Sequence, residues 1–515
     1  MSEPAPVPDI LSLHAAASPD KPAVIDDRPG SAASTLTFAE LNAAANRLAH
    51  VLRDVGMAPG DKVVWCGQNS IGIVTAMHGA RKAAATAVPL NYRLTPEEAA
   101  YVVDNSDASV VFVDAEFADL FATIRPQTPK VREILVFDGG NADALCAAAS
   151  ADELPPAPDV AATMIYTSGT TGHPKGAVRR SAGDPAQGAA LLQLIGYRPD
   201  DVYLTTGPLY HSGPGGFMGV AHTLGNTVVL QRKFDAEDWL RLVDTYKVSS
   251  TFSAPTPIRL VCNLPDDVKA KYDVTSMRVM IANAAPWSFA LKQAYLADFP
   301  ADSLFEVYGS TELGVDTVLL PADQLRKPGS CGQPAPGVEL KLFDDDGKEV
   351  TEPNVPGELF VRSASVFSTY HKADDKYDED RRGDYHTVGD VAYRDEDGFI
   401  YICDRKKDMI ISGGMNIYPA EIEAALEQHA DIFDAAVFGI PSDDWGESVH
   451  AIVVVRPGAV LDDAGVMAHA RDHLAGYKVP RSISFMDELP RTGSGKILKR
   501  VLREPFWEGR DTRVG

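Results

Sequence analysis

The sequence predicts an α/β protein in which a large N-terminal domain of helix-covered sheets is joined to a small α+β C-terminal domain. The chain has 515 residues, well above the roughly 250–300 residues at which a single core stops growing, so two or more domains are expected. Apolar strand-like runs alternate with helix-like segments in the first third, which is typical of parallel sheets covered by helices. Near Asp404 the pattern changes to mixed helices and strands. We therefore predict domains at 1–404 and 405–515.

Strand and helix signals follow one another in the first third. Apolar runs predict strands at 62–67, 86–91, 108–114 and 133–138, with a helix at 70–84. A second helix is predicted at 94–106, where Thr95 is the expected N-cap and Pro96 takes the first helical position. Glu98 completes a capping box with Thr95.

The middle of the chain repeats one pattern, an apolar strand followed by a turn-rich loop, at 201–216, 276–287 and 303–314. Ligands of open α/β sheets bind beyond the carboxyl ends of the strands. The three loops are therefore predicted to converge on one crevice. The C-terminal part shows helix signals at 419–429 and 464–474, and strand signals at 435–440, 450–456 and 482–489. This mixture predicts an α+β module.

Composition narrows the range of partners and locations. The net charge of −24 argues against nucleic acid or an anionic membrane as the main partner. A polyanionic ligand would need a local cluster of cations. The five cysteines are scattered without a C-x-x-C pair, which fits a reduced, cytoplasmic setting. The acidic N-terminus predicts no secretory signal, and no long uncharged apolar run predicts a membrane span.

The loop YTSGTTGHPKG, residues 166–176, crowds hydroxyls and glycines ahead of a lysine. Glycines let backbone N–H groups approach a ligand, and successive N–H groups in a concavity bind anions. The spacing does not match a P-loop. A flexible surface loop is the alternative, but the Pro-Lys-Gly directly after an apolar strand favours a phosphate site. Its candidate residues are Thr167, Ser168, Gly169, Thr170, Thr171, Gly172 and Lys175.

Further candidates follow later strands. Thr311 and Glu312 come after a strand and a glycine, where a hydroxyl suits phosphate and a carboxylate suits Mg²⁺. The alternative for Glu312 is a solvated loop residue. Asp390 follows a glycine and suits ribose hydroxyls, and Arg405 lies near the domain boundary. Lys496 stands in a Gly-Ser-Gly turn that fails the P-loop spacing.

Taken together and in this order, these motifs resemble the acyl-adenylate-forming superfamily of acyl-CoA synthetases, peptide-synthetase adenylation domains and firefly luciferase. The resemblance runs from LTFAELNAAANRLAHVLRDVGMAPGDKV through GELFVR to GSGKILKR, nearly the whole chain. It implies two half-reactions that use ATP, Mg²⁺ and coenzyme A. A carboxylate first displaces pyrophosphate from ATP to give acyl-AMP, and a thiol then displaces AMP.

The resemblance also implies roles for the candidates. Residues 167–175 would hold phosphates, and Glu312 would bind Mg²⁺. Thr311 would contact the α-phosphate. Lys496 would bridge the carboxylate and the α-phosphate as a preorganised cation. The remaining nucleotide contacts would be Asn283, Ala284, Ala285 and Tyr308 for adenine, Asp390 for ribose, and Arg405.

Motion and acyl selection are implied in the same way. The C-terminal domain would rotate between half-reactions about a hinge at Lys407. Ser412, Gly413 and Gly414 would then line the thiol tunnel. His211 would gate the acyl site, the alternative being a loop histidine satisfied by backbone.

The acyl substrate is indicated only by weak signals. Gly213, Gly215 and Gly216 would leave room for bulk, although glycine also marks turns. We therefore expect a lipid-like acid, either a fatty acid or a bulky steroid or bile-type acid. Trp287 replaces a smaller family residue, and core packing is favoured over a role in the acyl pocket.

Two other readings stay open. In the first, the protein is a fatty-acid or aryl-acid adenylating enzyme that loads a carrier protein instead of coenzyme A. That carrier would be a separate protein, because few residues follow Lys496. In the second, the protein binds nucleotide without catalysis. The presence of Lys496, Glu312 and Asp390 argues against the second. The expected partners are a small carboxylate, ATP and coenzyme A, and a homodimer is compatible with the sequence.

Overall fold

The computed structural model describes residues 9–155, 163–167, 174–180, 184–491 and 497–508. The strands of these residues, in chain order, are β1 (Pro22–Asp26), β2 (Ser34–Thr37), β3 (Lys62–Cys66), β4 (Thr86–Leu90), β5 (Ala108–Asp114), β6 (Glu133–Phe137), β7 (Thr163–Thr167), β8 (Lys175–Arg179), β9 (Val202–Thr205), β10 (Thr227–Leu230), β11 (Ser250–Ser253), β12 (Val279–Ala282), β13 (Leu304–Ser310), β14 (Gly314–Leu319), β15 (Gln333–Pro334), β16 (Glu339–Phe343), β17 (Gly357–Arg362), β18 (Thr369–Tyr370), β19 (Arg381–Arg382), β20 (Tyr385–His386), β21 (Asp390–Arg394), β22 (Ile400–Arg405), β23 (Ile410–Ser412), β24 (Met415–Ile417), β25 (Ile432–Ser442), β26 (Gly446–Val455) and β27 (Ser482–Phe485).

The α-helices of the same residues are α1 (Ile10–Ala17), α2 (Phe38–Asp54), α3 (Ile71–Lys82), α4 (Pro96–Asn105), α5 (Ala118–Ile124), α6 (Asn141–Ala148), α7 (Pro185–Ile195), α8 (Ser212–Thr223), α9 (Ala236–Tyr246), α10 (Pro255–Cys262), α11 (Asp266–Lys269), α12 (Phe289–Asp298), α13 (Asp374–Glu379), α14 (Pro419–Leu426), α15 (Asp463–His473) and α16 (Lys499–Trp507).

A seven-stranded sheet, in the order β18-β8-β7-β4-β3-β5-β6, contains the strands predicted in the first third. Strands β3 to β7 run parallel, whereas β8 and β18 are antiparallel. The prediction of a helix-covered parallel sheet is confirmed here. Helix α4 also begins as predicted, because the Thr95 hydroxyl accepts from the Glu98 N–H and the Glu98 carboxylate accepts from the Thr95 N–H.

A second sheet has nine strands in the order β15-β14-β13-β12-β11-β9-β10-β1-β2. In this sheet order the strands from β13 to β1 are all parallel, so the carboxyl ends of β9, β12 and β13 lie at one edge. These are the three strands whose loops the sequence predicted to converge. The largest hydrophobic core joins the two sheets and includes Trp65, Tyr203 and Val307.

The last two sheets lie on either side of the predicted domain boundary. In the third, β22 pairs with β21, and Arg405 is opposite Asp390. The fourth begins at Ile410 with β23 and has its own core of aliphatic side chains, among them Ile417 and Val437. Residues 406–409 connect the two sheets. Among the described residues, no helix is long and apolar enough to cross a membrane.

Candidate active site

The turn between β13 and β14 brings Glu312 against the end of β7. Glu312 is only 8% exposed, and its Oε1 accepts hydrogen bonds from the hydroxyls of Thr167 at 2.9 Å and Tyr370 at 3.2 Å. Burial, and then Glu312, raise the pKa of Tyr370 above its ordinary value, so this tyrosine stays a hydrogen-bond donor. The loop after β7 and the turn after β13 therefore meet at one carboxylate.

Thr311, in the same turn, is fixed from two sides. Its hydroxyl is 2.8 Å from the hydroxyl of Ser212, the first residue of α8. Its carbonyl accepts from the Arg179 guanidinium at 3.0 Å, and Arg179 also donates to the carbonyl of Ser365. Burial lowers the pKa of Arg179, while Glu312 opposes the shift. A partly buried cation thus lies directly behind the turn.

A second polar group is built on Tyr308 of β13, four residues before Glu312 in the chain. The Tyr308 hydroxyl donates to Asp390 Oδ2 at 2.5 Å, and the Arg405 Nε lies 3.3 Å from Asp390 Oδ1. Burial disfavours the charged form of Arg405, but Asp390 and Tyr308 outweigh it, so the pKa of Arg405 lies above its ordinary value. The three residues predicted to contact the nucleotide are therefore held together by one hydrogen bond and one ion pair.

The segment predicted to contact adenine follows β12. The Asn283 side chain donates to the Val307 carbonyl of the neighbouring β13 at 2.5 Å. Ala284 has a positive φ of 72°, a conformation that strains residues other than glycine. Ala285 follows, and Trp287 is buried in the core with its ring edge-on to Tyr295. Trp287 is therefore packed in the core, as the sequence favoured.

The glycines after β9 do not all provide open space. His211 directly precedes α8, and its ring lies 4.3 Å from that of Tyr210. A Cβ on Gly213 would lie 2.3 Å from the Phe252 ring, and one on Gly215 would lie 2.5 Å from the Leu209 carbonyl. Only Gly216 of the three has nothing within 4 Å. The expectation that all three leave room for an acyl group is wrong for Gly213 and Gly215, which allow close helix packing.

The remaining predicted residues lie beside the Glu312 group, elsewhere in the fold, or outside the described residues. Lys175 is paired with Thr167 across β7 and β8. Ser412, Gly413 and Gly414 form the β23–β24 turn, where the Gly413 N–H donates to the Trp445 carbonyl at 2.8 Å. The predictions for Ser168, Gly169, Thr170, Thr171, Gly172 and Lys496 lie outside the described residues.

The predicted hinge residue, Lys407, lies between two differently attached neighbours. Lys406 forms ion pairs with Asp345 and Glu358 of the N-terminal part. Asp408 instead faces Arg503 of α16 at 3.9 Å. The chain therefore changes its attachment from one domain to the other within three residues.

Sequence reasoning missed Arg179, Tyr370 and Ser212. Arg179 carried a signal, because it closes the strand that follows the glycine loop, but an adjacent Arg180 made the choice ambiguous. Tyr370 carried none, since β18 reaches Glu312 only by pairing with β8 from almost 200 residues away in sequence.

Comparisons with known proteins show the family of the chain. The model for "AMP-binding enzyme" matches residues 11–371, and the model for "AMP-binding enzyme C-terminal domain" matches residues 421–496. The chain belongs to the AMP-binding enzyme family. Within that family it is an AMP-forming acid–thiol ligase.

Three relatives illustrate the likeness. The chain is 34% identical to fatty acid–[acyl-carrier-protein] ligase ScoC of Streptomyces coeruleorubidus, covering 96% of this chain and 95% of that protein. It is 35% identical to feruloyl-CoA synthase of an Amycolatopsis species, covering 92% and 94%. The structure matches ATP-bound MatB from Rhodopseudomonas palustris with a TM-score of 0.86 and 29% identity, covering 97% and 99%.

Proposed function

We propose that this enzyme activates a lipid-like carboxylic acid, a fatty acid or a bulky steroid or bile-type acid, and transfers its acyl group to coenzyme A. In the first step a carboxylate oxygen attacks the α-phosphorus of ATP, and the bond to the pyrophosphate oxygen breaks. In the second step the thiol sulfur attacks the acyl carbonyl, the thiol proton passes to solvent, and the bond to AMP breaks. The AMP ester is needed because a free carboxylate has no adequate leaving group.

One observation carries the proposal. The two polar groups at Glu312 and at Asp390 lie along one strand and the turn that follows it, with a predicted phosphate-binding residue, Thr167, bonded to the first. Asp390 is the ribose candidate, and its orientation by Tyr308 and Arg405 supports that role. Catalysis of phosphoryl chemistry depends on such positioning and charge neutralisation.

The donor set around Glu312 suits Mg²⁺, which takes one or two carboxylates together with phosphate oxygens. Within the described residues, Thr167 and Tyr370 both donate their hydrogen bonds to Oε1 of this carboxylate. Mg²⁺ bound there would neutralise charge on the phosphate oxygens. Thr311 would contact the α-phosphate, and Ser212 and Arg179 fix its position.

An apolar acid is supported by the aromatic side chains around α8. Phe217 stacks on Phe252 with ring centroids 5.2 Å apart, and Tyr197 stacks on Phe217 at 6.2 Å. Phe217, the middle ring of the three, lies on the helix that begins after His211, the candidate gate. The name of ScoC, a relative across nearly the whole chain, also refers to a fatty acid.

Coenzyme A is favoured over a carrier protein by the surface beside the Gly413–Gly414 turn. Trp445 is 44% exposed, and the Arg481 guanidinium lies 4.5 Å from the centre of its ring. An exposed aromatic face with an arginine suits a nucleotide, which coenzyme A carries and a carrier-bound thiol does not. The name of ScoC keeps carrier loading as the second candidate.

The proposal is tested by measuring pyrophosphate release with acids of differing chain length and ring content. We expect release to require the acid, to be greatest with lipid-like acids, and to be followed by a CoA thioester detected by mass spectrometry. Parallel reactions with a pantetheinylated carrier protein and no coenzyme A test the second candidate. Preference for short or aryl acids would contradict the substrate class, and thioester on the carrier alone would contradict the acceptor.

The proposed division of labour between domains gives the second test. Lys496→Ala should reduce acyl-AMP formation by roughly three orders of magnitude, the scale at which one preorganised charge stabiliser acts. Thioester formation from supplied acyl-AMP should remain, because Lys496 is proposed to act only in the first step. Equal loss in both steps would contradict the proposed role of Lys496.

A further inference from the structure

An arginine of the N-terminal domain is inserted between two acidic residues of the C-terminal domain. Arg259 of α10 donates to the Phe433 carbonyl at 3.0 Å and to Glu427 Oε2 at 3.4 Å. Its Nη1 also lies 3.8 Å from Asp434 Oδ1, and its guanidinium lies 5.7 Å from the centre of the Phe433 ring. Only an arginine fork reaches acceptors in several directions in this way.

The acidic residues that face Arg259 are themselves buried. The side chains of Arg259 and Glu427 are each 17% exposed, and that of Asp434 is 6% exposed. Burial raises the pKa of Glu427 to about 7, with Asp434 and Glu423 adding to the shift while Arg259 and Ser288 oppose it. Because a buried charge left without its partner is costly, the charged form of Glu427 needs Arg259 in this arrangement of the domains, whereas Asp434 is also paired with Arg491.

The same acidic pair leads to the loop that carries Lys496. Asp434 Oδ2 accepts from Arg491, and Arg491 pairs with Ile497 in an antiparallel bridge. Lys496 directly precedes Ile497 in the chain. A continuous set of contacts therefore runs from α10 through Arg259, Asp434 and Arg491 to the base of the lysine loop.

We propose that Arg259 is a positioning residue that latches the C-terminal domain in the orientation required for acyl-AMP formation. The inference rests on the proposed two-step function, in which Lys496 serves the first step and the domain then rotates. Rotation of the C-terminal domain would separate Arg259 of α10 from Glu427 and Asp434. These contacts would therefore form during acyl-AMP formation and be broken during thioester formation. Arg259 would act through the orientation of the C-terminal domain, which carries Lys496, and would not itself contact the substrate.

The test compares Arg259→Ala and Arg259→Lys with wild type in the two half-reactions. Acid-dependent pyrophosphate release measures the first, and thioester formation from supplied acyl-AMP and coenzyme A measures the second. We expect Arg259→Ala to slow the first by roughly 10- to 100-fold, because the competent orientation is then a minor population. The second should stay within about twofold of wild type. Arg259→Lys should recover only part of the loss, since a lysine ammonium lacks the rigid planar fork that holds donors toward several separate acceptors.

Arg456 supplies the matched control. Its guanidinium lies 5.8 Å from the same Phe433 ring, but it belongs to the C-terminal domain. Arg456→Ala should leave both half-reactions within about twofold of wild type. Thermal unfolding of each variant checks that both domains remain folded. Equal slowing of both steps by Arg259→Ala, or slowing of neither, would overturn the latch.

Lys496→Ala in the same assays separates failure of the latch from failure of the proposed function. If Lys496→Ala leaves acyl-AMP formation intact, the proposed function of the lysine loop fails, and the latch fails with it. If Lys496→Ala abolishes only the first step while Arg259→Ala affects neither or both, the latch alone is wrong.

Discussion

A single buried carboxyl group stands out at the scale of residues. Asp316 of β14 is 0% exposed, and neither of its carboxyl oxygens has a hydrogen-bond partner in the described part of the chain. It lies at the irregularity where the β13–β14 register shifts after Tyr308. Burial, followed by the charge of Asp390, raises the pKa of Asp316 well above its ordinary value of 3.8, and Arg179 opposes the shift.

Asp316 should therefore make the folded protein less stable as the pH rises. Because the folded-state pKa is raised, the folded protein holds a proton that the unfolded chain releases above about pH 4. The penalty grows by about 1.4 kcal/mol per pH unit until the folded-state pKa is passed. We expect Asp316→Asn, which keeps the shape without the titration, to gain more stability at pH 8 than at pH 5.

Urea unfolding of the variant and wild type at both pH values measures this difference. The pH dependence of groups that do not interact with Asp316 cancels when the two proteins are compared at the same pH. An equal stability difference at pH 5 and pH 8 would show that Asp316 does not titrate in this way.

The sequence indicated some residues of the site well and others not at all. Glu312, Thr311 and Asp390 follow strands and glycines, and this local context was enough to select them. Nothing in the local sequence distinguishes Asp316 from other strand residues, because its burial depends on the shift in register between β13 and β14. Contacts made between distant segments, such as Tyr370 with Glu312, have no local signal.

At the scale of elements, helix α8 shows how one residue type can have opposite effects within twelve residues. Gly213 lies against the buried Phe252 ring, and Gly216 has open space around its missing Cβ. The sequence predicted that both glycines leave space for an acyl chain. A glycine that allows close packing cannot be distinguished from an exposed glycine by sequence alone. The start of α4 was predictable because capping depends on residues three apart in the chain.

Alanine at these two positions should change stability in opposite directions. Gly213→Ala should destabilise the protein by ~1–3 kcal/mol, because the new methyl group overlaps the Phe252 ring and forces it to move. Gly216→Ala should stabilise it by ~0.5–1 kcal/mol, because alanine loses less backbone freedom in a helix than glycine. Unfolding without substrate measures both, and destabilisation of similar size by the two variants would contradict the assignment of open space to Gly216.

At the scale of the whole molecule, the arrangement of the two domains was beyond the sequence. Local patterns predicted two domains, and the family resemblance implied a hinge at Lys407. The orientation of the domains depends on a few contacts across the interface, among them those of Arg259. In this orientation the base of the lysine loop faces α10, through Arg491 and Asp434. The Gly413–Gly414 turn instead lies on Trp445 of its own domain.

This arrangement predicts that the turn matters only after rotation. Gly414 is exposed, and nothing lies within 4 Å of the position of its missing Cβ. Gly414→Leu should therefore leave acyl-AMP formation within about twofold of wild type. Thioester formation should fall by roughly tenfold or more, because the larger side chain would enter the proposed thiol tunnel once the domain turns. The variant would then show the reverse of the pattern expected for Lys496→Ala.

The positive φ of 79° at Gly414 calls for a control, since leucine is strained in that conformation. Gly414→Asn supplies it, because asparagine tolerates left-handed backbone better than other residues. If the side chain acts by obstruction, asparagine should reduce thioester formation less than leucine, while the unfolding temperatures of both variants stay close to wild type. If leucine slows acyl-AMP formation as much as thioester formation, the turn acts in both orientations, and the separation of the half-reactions between two faces of the C-terminal domain is wrong.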